Sequence, residues 1–180
     1  MKTIFIAASL LIVPVVLAQG DSQWTLKEST LTYRVSHPLH QVEGVSHEAR
    51  GKGVCHAGQC DFLIGVPVKS FDSGDSNRDL HMIQVVKGGQ FPMVTVRTHL
   101  PEDASKSGGM QASLEIQFAG QSAQFKDVPF QITMQGSEAK ISGTIPATLS
   151  DFKIEAPSLL TVPVKNDIPI SVDMTWQKQK

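Results

Sequence analysis

The stretch Gly-Asp-Ser-Asn-Arg-Asp-Leu-His-Met-Ile-Gln-Val-Val-Lys-Gly-Gly-Gln-Phe-Pro-Met-Val-Thr-Val, residues 74–96, is the one place where the chain leaves a β-strand pattern. It predicts a short helix and then a return to a strand. Ser76 is a good N-cap, and the side chain of Asp79, three residues later, can accept a hydrogen bond from its backbone N–H as in a capping box. Asp75 adds negative charge at the positive end of the helix dipole. The sequence therefore predicts that a helix begins at Ser76.

The other features of this helix are its apolar face and its end. Residues Lys87-Gly88-Gly89 supply a cation for the last turn and glycines that tolerate the left-handed cap conformation. The helix should therefore span about residues 76–87. Its apolar stripe consists of Met82, Val85 and Val86, and Leu80 and Ile83 widen it.

The rest of the chain shows an alternation of period two, which is typical of β-strands with one apolar and one solvated face. Such strands form antiparallel sheets, and a sheet of about eight strands covers its apolar face by closing into a barrel. We therefore predict an all-β protein, an eight-stranded antiparallel barrel with the short helix covering it. Residues 150–167 are predicted as a loop with at most a turn of helix. The strands are separated at predicted turn glycines that include Gly44, Gly51, Gly53, Gly120, Gly136 and Gly143.

Two segments of the opening stretch resemble the signature of a known family. Ser76-Asn-Arg-Asp-Leu-His-Met82, followed after the helix by Phe91-Pro-Met-Val-Thr-Val96, is similar to the motif of the YceI-like proteins. The resemblance extends more weakly from Trp24 to Trp176. The chain departs from the family pattern in the helix, where Ile83 to Gly89 replaces a common Lys/Ser/Asp-Phe-Phe run, and in carrying a cysteine pair.

The resemblance implies a lipocalin-like barrel that binds a polyisoprenoid or quinone-like lipid as carrier or reservoir and is not an enzyme. Flexible Met and Phe side chains at inward positions suit an irregular apolar guest. A transient contact with a membrane or membrane protein and a homodimer remain open. The residues expected to line the ligand site are Tyr33, Val35, Phe62, Ile64, Val66, Met82, Val85, Ile116, Phe118, Phe130, Ile132, Met134, Val172, Met174 and Trp176.

Residues 1–18 have the pattern of a secretory signal peptide. Lys2 is followed by an apolar run that is short for a membrane span, and Ala18 ends a small-residue cleavage site. We expect residues 19–180 to form one exported domain, periplasmic if the source is a Gram-negative bacterium and otherwise secreted. The chain of 180 residues carries a net charge of −1, which gives no electrostatic reason to expect nucleic acid as a partner.

Cys55 and Cys60 bracket the four residues His-Ala-Gly-Gln. In an exported protein, two cysteines that flank a hairpin tip most simply form a disulfide. Their spacing fits neither the redox Cys-x-x-Cys motif nor haem attachment. A structural disulfide is therefore favoured over redox or metal chemistry, which remain as alternatives.

Three histidines with two nearby glutamates could suggest a metal site: His37, His40, His47, Glu43 and Glu48. Pro38 interrupts the first pair, and no second His pair or cysteine at ligand spacing supports the site. We favour ordinary polar residues at strand ends and expect no metal.

Arg78, Asp79 and His81 lie where the helix begins, so they could contact a lipid head group or tie the helix to a strand end. Asp79 and His81 could also act as an acid–base pair. No nucleophile, phosphate or zinc motif completes such a site. A small hydrolase or isomerase that uses this pair is one alternative function, and a solidly packed structural or interaction module without a ligand is another.

Overall fold

The computed structural model describes residues 21–105, 108–159 and 161–179. The predicted signal peptide lies outside these residues and stays a prediction. Short 3-10 turns lie at Val68–Ser70, Glu102–Ser105 and Ser150–Phe152. The strands and the helix of the described residues are β1 (Ser22–His37), β2 (His40–Ser46), β3 (Arg50–His56), β4 (Gln59–Pro67), α1 (Ser76–Val85), β5 (Met93–Pro101), β6 (Gly108–Phe118), β7 (Gln121–Gln135), β8 (Glu138–Ile145), β9 (Ser158–Leu159), β10 (Val162–Pro163) and β11 (Ile170–Lys178).

The sheet closes because the first strand pairs with the last. β1 runs antiparallel to β11 from Trp24 opposite Lys178 to Tyr33 opposite Ile170. On its other side β1 pairs with β3 near its start and with β2 near its end, so β2 and β3 together fill one position in the barrel. The predicted closed barrel of eight antiparallel strands with one helix is therefore confirmed.

Four glycines that were predicted as turns lie inside strands instead. A Cβ at each of them would collide with an aromatic ring that packs against it. The missing Cβ leaves room for these large rings to pack directly against the backbone at each glycine. Gly120 and Gly136, with φ of 76° and 63°, are in turns as predicted. The four glycine and ring pairs are Gly44 with Tyr33, Gly51 with Trp176, Gly53 with Phe62, and Gly143 with Phe130.

The two ends of the barrel differ in what covers them. At one end, which we call the helix end, lie the β1–β2 turn, the segment from residue 68 to 92 with α1, the β6–β7 turn and the segment from 146 to 169. The opposite end carries the β3–β4 and β7–β8 hairpin turns. A small apolar cluster of Val68, Val86 and Ala119 packs α1 onto the helix end, with Met82 and Ile83 against it.

The start of α1 differs from the sequence prediction. The N-cap is Asp75, whose carboxylate accepts hydrogen bonds from the backbone N–H groups of Asn77 (3.0 Å) and Arg78 (3.1 Å). The hydrogen bond from Arg78 is the main reason that the pKa of the Asp75 carboxyl is lowered. Ser76 is thus the first residue of the helix and not its cap. Asp and Ser are about equally good N-caps, so neighbouring candidates cannot be ranked by residue type.

The end of α1 also differs in detail. The helix ends at Val85, and Lys87, with φ of 55°, takes the left-handed position that was predicted for a glycine. The backbone N–H of Gly88 then donates to the carbonyl of Ile83 at 2.7 Å, which completes a Schellman-type ending. Gly88 is buried against Ile83 and Val68, so packing space accounts for a glycine there.

The predicted loop from residue 150 to 167 contains more structure than expected. It begins with a 3-10 turn, continues to the short ladder of β9 and β10, and returns to the barrel. Phe152 is buried and its ring packs edge-on against Phe118, with 5.3 Å between ring centroids. This loop therefore covers part of the helix end. Among the described helices none has the length and apolar character to cross a membrane.

Candidate functional site: an apolar cavity inside the barrel

The barrel encloses one large cavity of about 510 Å³ among the described residues. This volume lies in the range of about 300–1,000 Å³ that is usual for sites that hold small organic ligands. The cavity extends from Trp24 and Trp176, near the opposite end, to Met82 and Val85 of α1 at the helix end. Its wall is formed mainly by the inward-facing apolar residues of the strands.

The structure places most of the predicted lining residues around this cavity. They come from β1, β4, α1, β6, β7 and β11. In the strands, the apolar side of the alternation faces inward, as the sequence predicted. The predicted residues that border the cavity are Tyr33, Val35, Phe62, Ile64, Val66, Met82, Val85, Ile116, Phe118, Phe130, Ile132, Val172, Met174 and Trp176.

Met134 is the predicted lining residue that does not border the cavity. Its side chain is partly buried and packs against the barrel core, next to the hairpin turn at Gly136. Ala139, which is opposite Met134 in the β7–β8 ladder, does border the cavity. Alternation identified the inward side of β7, but it could not show how far along that strand the cavity reaches.

Several lining residues were missed by the sequence analysis. Val94, Val96 and Leu100 of β5 continue an alternating pattern that could have identified them. Leu149 and Phe152 lie in the loop after β8, where no regular period exists, so their inward position follows only from the tertiary structure.

The cavity opens at the helix end. Four of its lining residues there are exposed to solvent, namely His40 at the start of β2, Arg78 and His81 on α1, and Ser158 in β9. The exposed lining residue at the opposite end is Pro101. We call the opening between β2, α1 and β9 the mouth; polar side chains border it, whereas the cavity behind it is apolar.

Arg78 is held at the mouth by the residues that precede the helix. Its guanidinium donates from Nε to the Ser73 hydroxyl (2.8 Å) and from Nη2 to the Ser73 carbonyl (2.7 Å). Asp79 accepts from the backbone N–H (3.1 Å) and the hydroxyl (2.5 Å) of the same Ser73. Ser73 thus fixes both charged side chains relative to the helix.

Of the three predicted helix-mouth residues, Arg78 and His81 border the cavity and Asp79 does not. The carboxylate of Asp79 bonds to Ser73, and no hydrogen bond or ion pair joins it to His81 among the described contacts. The geometry therefore gives no support to an acid–base pair made of these two residues.

Tyr33 places a phenol in the cavity wall. Its ring packs against Phe71 with 5.5 Å between centroids. Burial raises the pKa of the Tyr33 hydroxyl above its usual value; Asp79 raises it further, while Arg78 opposes this. Because Tyr33 therefore stays uncharged at neutral pH, it can border an apolar guest without the cost of a buried charge.

His37, a residue of the predicted histidine group, has a structural role beside the mouth. The imidazole is buried and its Nδ1 accepts a hydrogen bond from the backbone N–H of Leu39 at 3.2 Å. Nε2 then carries the proton and donates to the carbonyl of Val162 at 3.2 Å. His37 thus ties the β1–β2 turn to β10. No group of three or more potential metal ligands occurs among the described residues.

The predicted disulfide between Cys55 and Cys60 is confirmed. The two residues are opposite each other in the β3–β4 ladder, and His56 and Gln59 form one more pair beyond them. The hairpin tip is therefore a two-residue turn rather than the four-residue tip that was expected. Both half-cystines are buried, and Cys60 borders the cavity at the end away from the mouth.

The fold and the site define a class of protein, the closed antiparallel β-barrels with an apolar internal cavity that opens at one end. The model of the YceI-like domain matches residues 24–176, and the chain belongs to the YceI-like family. A comparison with curated protein sequences found no match.

Solved structures with the same fold are distant in sequence. A polyisoprenoid-binding domain from Saccharophagus degradans, implicated in plant cell wall breakdown, superposes with a TM-score of 0.71 at 12% identity, over 87% of this chain and 98% of that one. BcnA of Burkholderia cenocepacia gives a TM-score of 0.67 at 14% identity, over 82% and 95%. The YceI protein of Campylobacter jejuni gives 0.52 at 14% identity, over 100% and 94%.

Proposed function

We propose that this protein binds a long isoprenoid-type lipid, such as a polyprenyl or quinone-like molecule, as a carrier or reservoir in the cell envelope. The observation that carries the proposal is the apolar cavity of about 510 Å³ in the described part of the barrel, with the charged and imidazole side chains of its lining at the mouth. The family and the polyisoprenoid-binding domain of Saccharophagus degradans support the same ligand class.

The arrangement suits a lipid with a polar head and an apolar chain. The chain would lie along the barrel between Trp176 and α1, in contact with aliphatic and aromatic side chains. The head group would remain at the mouth, where Arg78, His81 and His40 offer a cation and imidazoles as hydrogen-bonding groups.

The energetics favour exchange with a membrane over capture from water. At about 0.8 kcal/mol for each buried CH₂, a chain of tens of carbons would exceed the practical ceiling of non-covalent affinity if water were the reference. The real source of such a lipid is a bilayer, which is as apolar as the cavity. Transfer between the two is close to neutral, so a barrel of this kind can both load and unload.

We further propose that residues 1–18 direct export and are removed, so that a single domain of residues 19–180 functions in the periplasm or outside the cell. The disulfide at Cys55 and Cys60 supports an oxidising compartment. Protein recovered from its native compartment should begin at Gln19. An intact mass that retains residues 1–18 would contradict export with cleavage.

The proposed function is tested directly by the tryptophans of the chain. The sequence has two, Trp24 and Trp176, and both are buried and border the cavity. A quinone with an isoprenoid tail that enters the barrel should therefore quench nearly all of the intrinsic fluorescence. Delipidated protein is mixed with vesicles that contain the quinone, with vesicles that lack it as the control.

The expected result is saturable quenching together with extractable isoprenoid lipid in the protein as purified. Protein that carries no apolar lipid, and takes none up from either polyprenol- or quinone-doped vesicles, would refute the proposal. It would favour a packed structural module instead.

A further inference from the structure

Large apolar side chains on the outside of the barrel are concentrated at one end. Seven such side chains are strongly exposed among the described residues, and five of them lie at the helix end, around the cavity mouth or just after α1. The other two, Val54 and Leu63, lie on the outer wall of the barrel. The seven are Leu39, Val54, Leu63, Leu80, Phe91, Met93 and Val162.

Three of these residues surround the mouth itself. Leu39, in the β1–β2 turn, is 70% exposed, and Val162, in β10, is 42% exposed. The buried imidazole of His37 bonds to the backbone of both and so holds them side by side. Leu80 is 59% exposed and lies on α1 between Arg78 and His81, which border the cavity. We call Leu39, Leu80 and Val162 the apolar rim.

The rim was not evident in the sequence. Leu80 was expected to widen the apolar face that α1 packs onto the barrel, but that contact is made by Met82 and Ile83 of α1 and by Val86, which follows its last residue. A leucine left in water beside the opening of an apolar cavity offers apolar surface that a partner can cover.

Formal charges around the rim do not favour an anionic or a cationic partner. The segment from residue 68 to 92 carries three basic and three acidic residues, which are Lys69, Arg78, Lys87, Asp72, Asp75 and Asp79. In the segment from 146 to 169 two basic residues face three acidic ones, which are Lys153, Lys165, Asp151, Glu155 and Asp167. Attraction to a surface here must therefore come from the apolar side chains.

We propose that the apolar rim docks the barrel onto the surface of a lipid bilayer with electrically neutral head groups, with the mouth facing the membrane. This inference rests on the proposed function. A lipid that moves from a bilayer into the cavity through this mouth would have to cross water if the mouth did not face the membrane. Apolar side chains insert into the boundary between head groups and acyl chains. Three of them give weak and reversible attachment, which suits a carrier that must leave again.

The test compares two matched variants of the mature protein in sedimentation with phosphatidylcholine vesicles. The rim variant carries Leu39→Ser, Leu80→Ser and Val162→Thr, all at exposed positions. The control carries Val54→Thr and Leu63→Ser, which change residues of similar type and exposure (48% and 49%) on the barrel wall. Circular dichroism confirms that both variants are folded.

We expect the wild type and the control to bind the vesicles, and the rim variant, which loses two leucines worth about tenfold each, to partition about 100-fold more weakly. Binding should be insensitive to salt and should not require phosphatidylglycerol. The inference is overturned if the wild type does not bind, if the rim variant binds as well as the wild type, or if the control loses as much. It is also overturned if binding occurs only with anionic lipid, or if lipid is loaded only in the presence of a membrane protein.

The outcomes separate this inference from the proposed function. A wild type that contains isoprenoid lipid and exchanges it with vesicles, but whose exchange rate is unchanged in the rim variant, removes the docking surface and leaves the carrier in place. A wild type that holds and takes up no lipid removes the carrier, whatever the vesicle measurement shows.

Discussion

Replacing Ile132 by glutamine should deplete the lipid that the barrel carries while leaving the barrel folded. Ile132 is 4% exposed and borders the cavity from β7. Glutamine extends one atom further than isoleucine and ends in an amide, which would face an apolar guest. Most of the cavity lining is apolar, and away from the mouth Tyr33 and Thr98 carry its hydroxyl groups.

The magnitude follows from the cost of the buried amide. A polar group without a partner in an apolar site costs roughly 1–3 kcal/mol. This corresponds to an affinity about 5- to 150-fold lower, because each 1.4 kcal/mol is a factor of about ten. In an empty cavity that admits water the amide would be hydrated, so the substitution would change stability without any ligand to lose.

The matched control is Thr133→Gln, which introduces the same side chain one residue further along, on the exposed outer face of β7. The wild type and both variants are purified identically and extracted into organic solvent. Lipid for each mole of protein is measured by mass spectrometry, and thermal unfolding is recorded in parallel. An Ile132→Gln protein with wild-type lipid content, or a Thr133→Gln protein with an equal loss, would refute the reasoning.

Three further predictions concern the helix cap, the tyrosine and the disulfide. Asp75→Ala should lower the unfolding midpoint, and Ser76→Ala should not, because Asp75 is the residue that caps the helix. The contribution of Asp75 to the free energy of unfolding should be present above its unfolded pKa of about 3.8. It should disappear as the pH falls through the lowered pKa of Asp75 in the folded protein. Tyr33 is the single tyrosine of the chain, so ultraviolet titration should show its phenolate forming above the ordinary pKa of 10.0. The protein should lose stability as the pH rises past that value. A titration midpoint at or below pH 10.0 would contradict the burial of Tyr33. Cys55 and Cys60 should react with an alkylating reagent only after reduction, and loss of their bridge should cost about 2 kcal/mol in unfolding free energy because the closed loop is short; labelling without reductant would show the prediction to be wrong.

The regular part of this structure could be predicted from the sequence, because alternation reports which side of a strand faces inward. Phe62, Ile64 and Val66 were identified in this way, and all three border the cavity. The rule depends on an unbroken period. β-bulges interrupt it between Leu26 and Glu28 of β1 and again in β7, where Asp127 has φ of 54°, and no residue type announces them.

The positions that escaped prediction depend on contacts that are distant in sequence. Gly53 was expected in a turn because the sequence alone does not show the Phe62 ring that packs on it from the next strand. Leu80 was expected to widen the apolar stripe of α1, yet it is exposed because the helix packs onto the barrel through Met82 and Ile83. The extent of the cavity, and therefore the different placement of Ile132 and Met134, is a property of the closed barrel and not of a single strand.

The pairing of β1 with β11 has a consequence for how the protein is made. Trp24, near the start of the barrel, pairs with Lys178, near its end, so closure joins the two ends of the sequence. Until residues 170–178 have been synthesised, β1 and β8 each present an unpaired edge, and such edges are the sites at which strands from other chains can add. Contacts at this sequence separation also form slowly, since the entropy of loop closure must be overcome first. The barrel can therefore close only after β11, which pairs with both β1 and β8, has been synthesised.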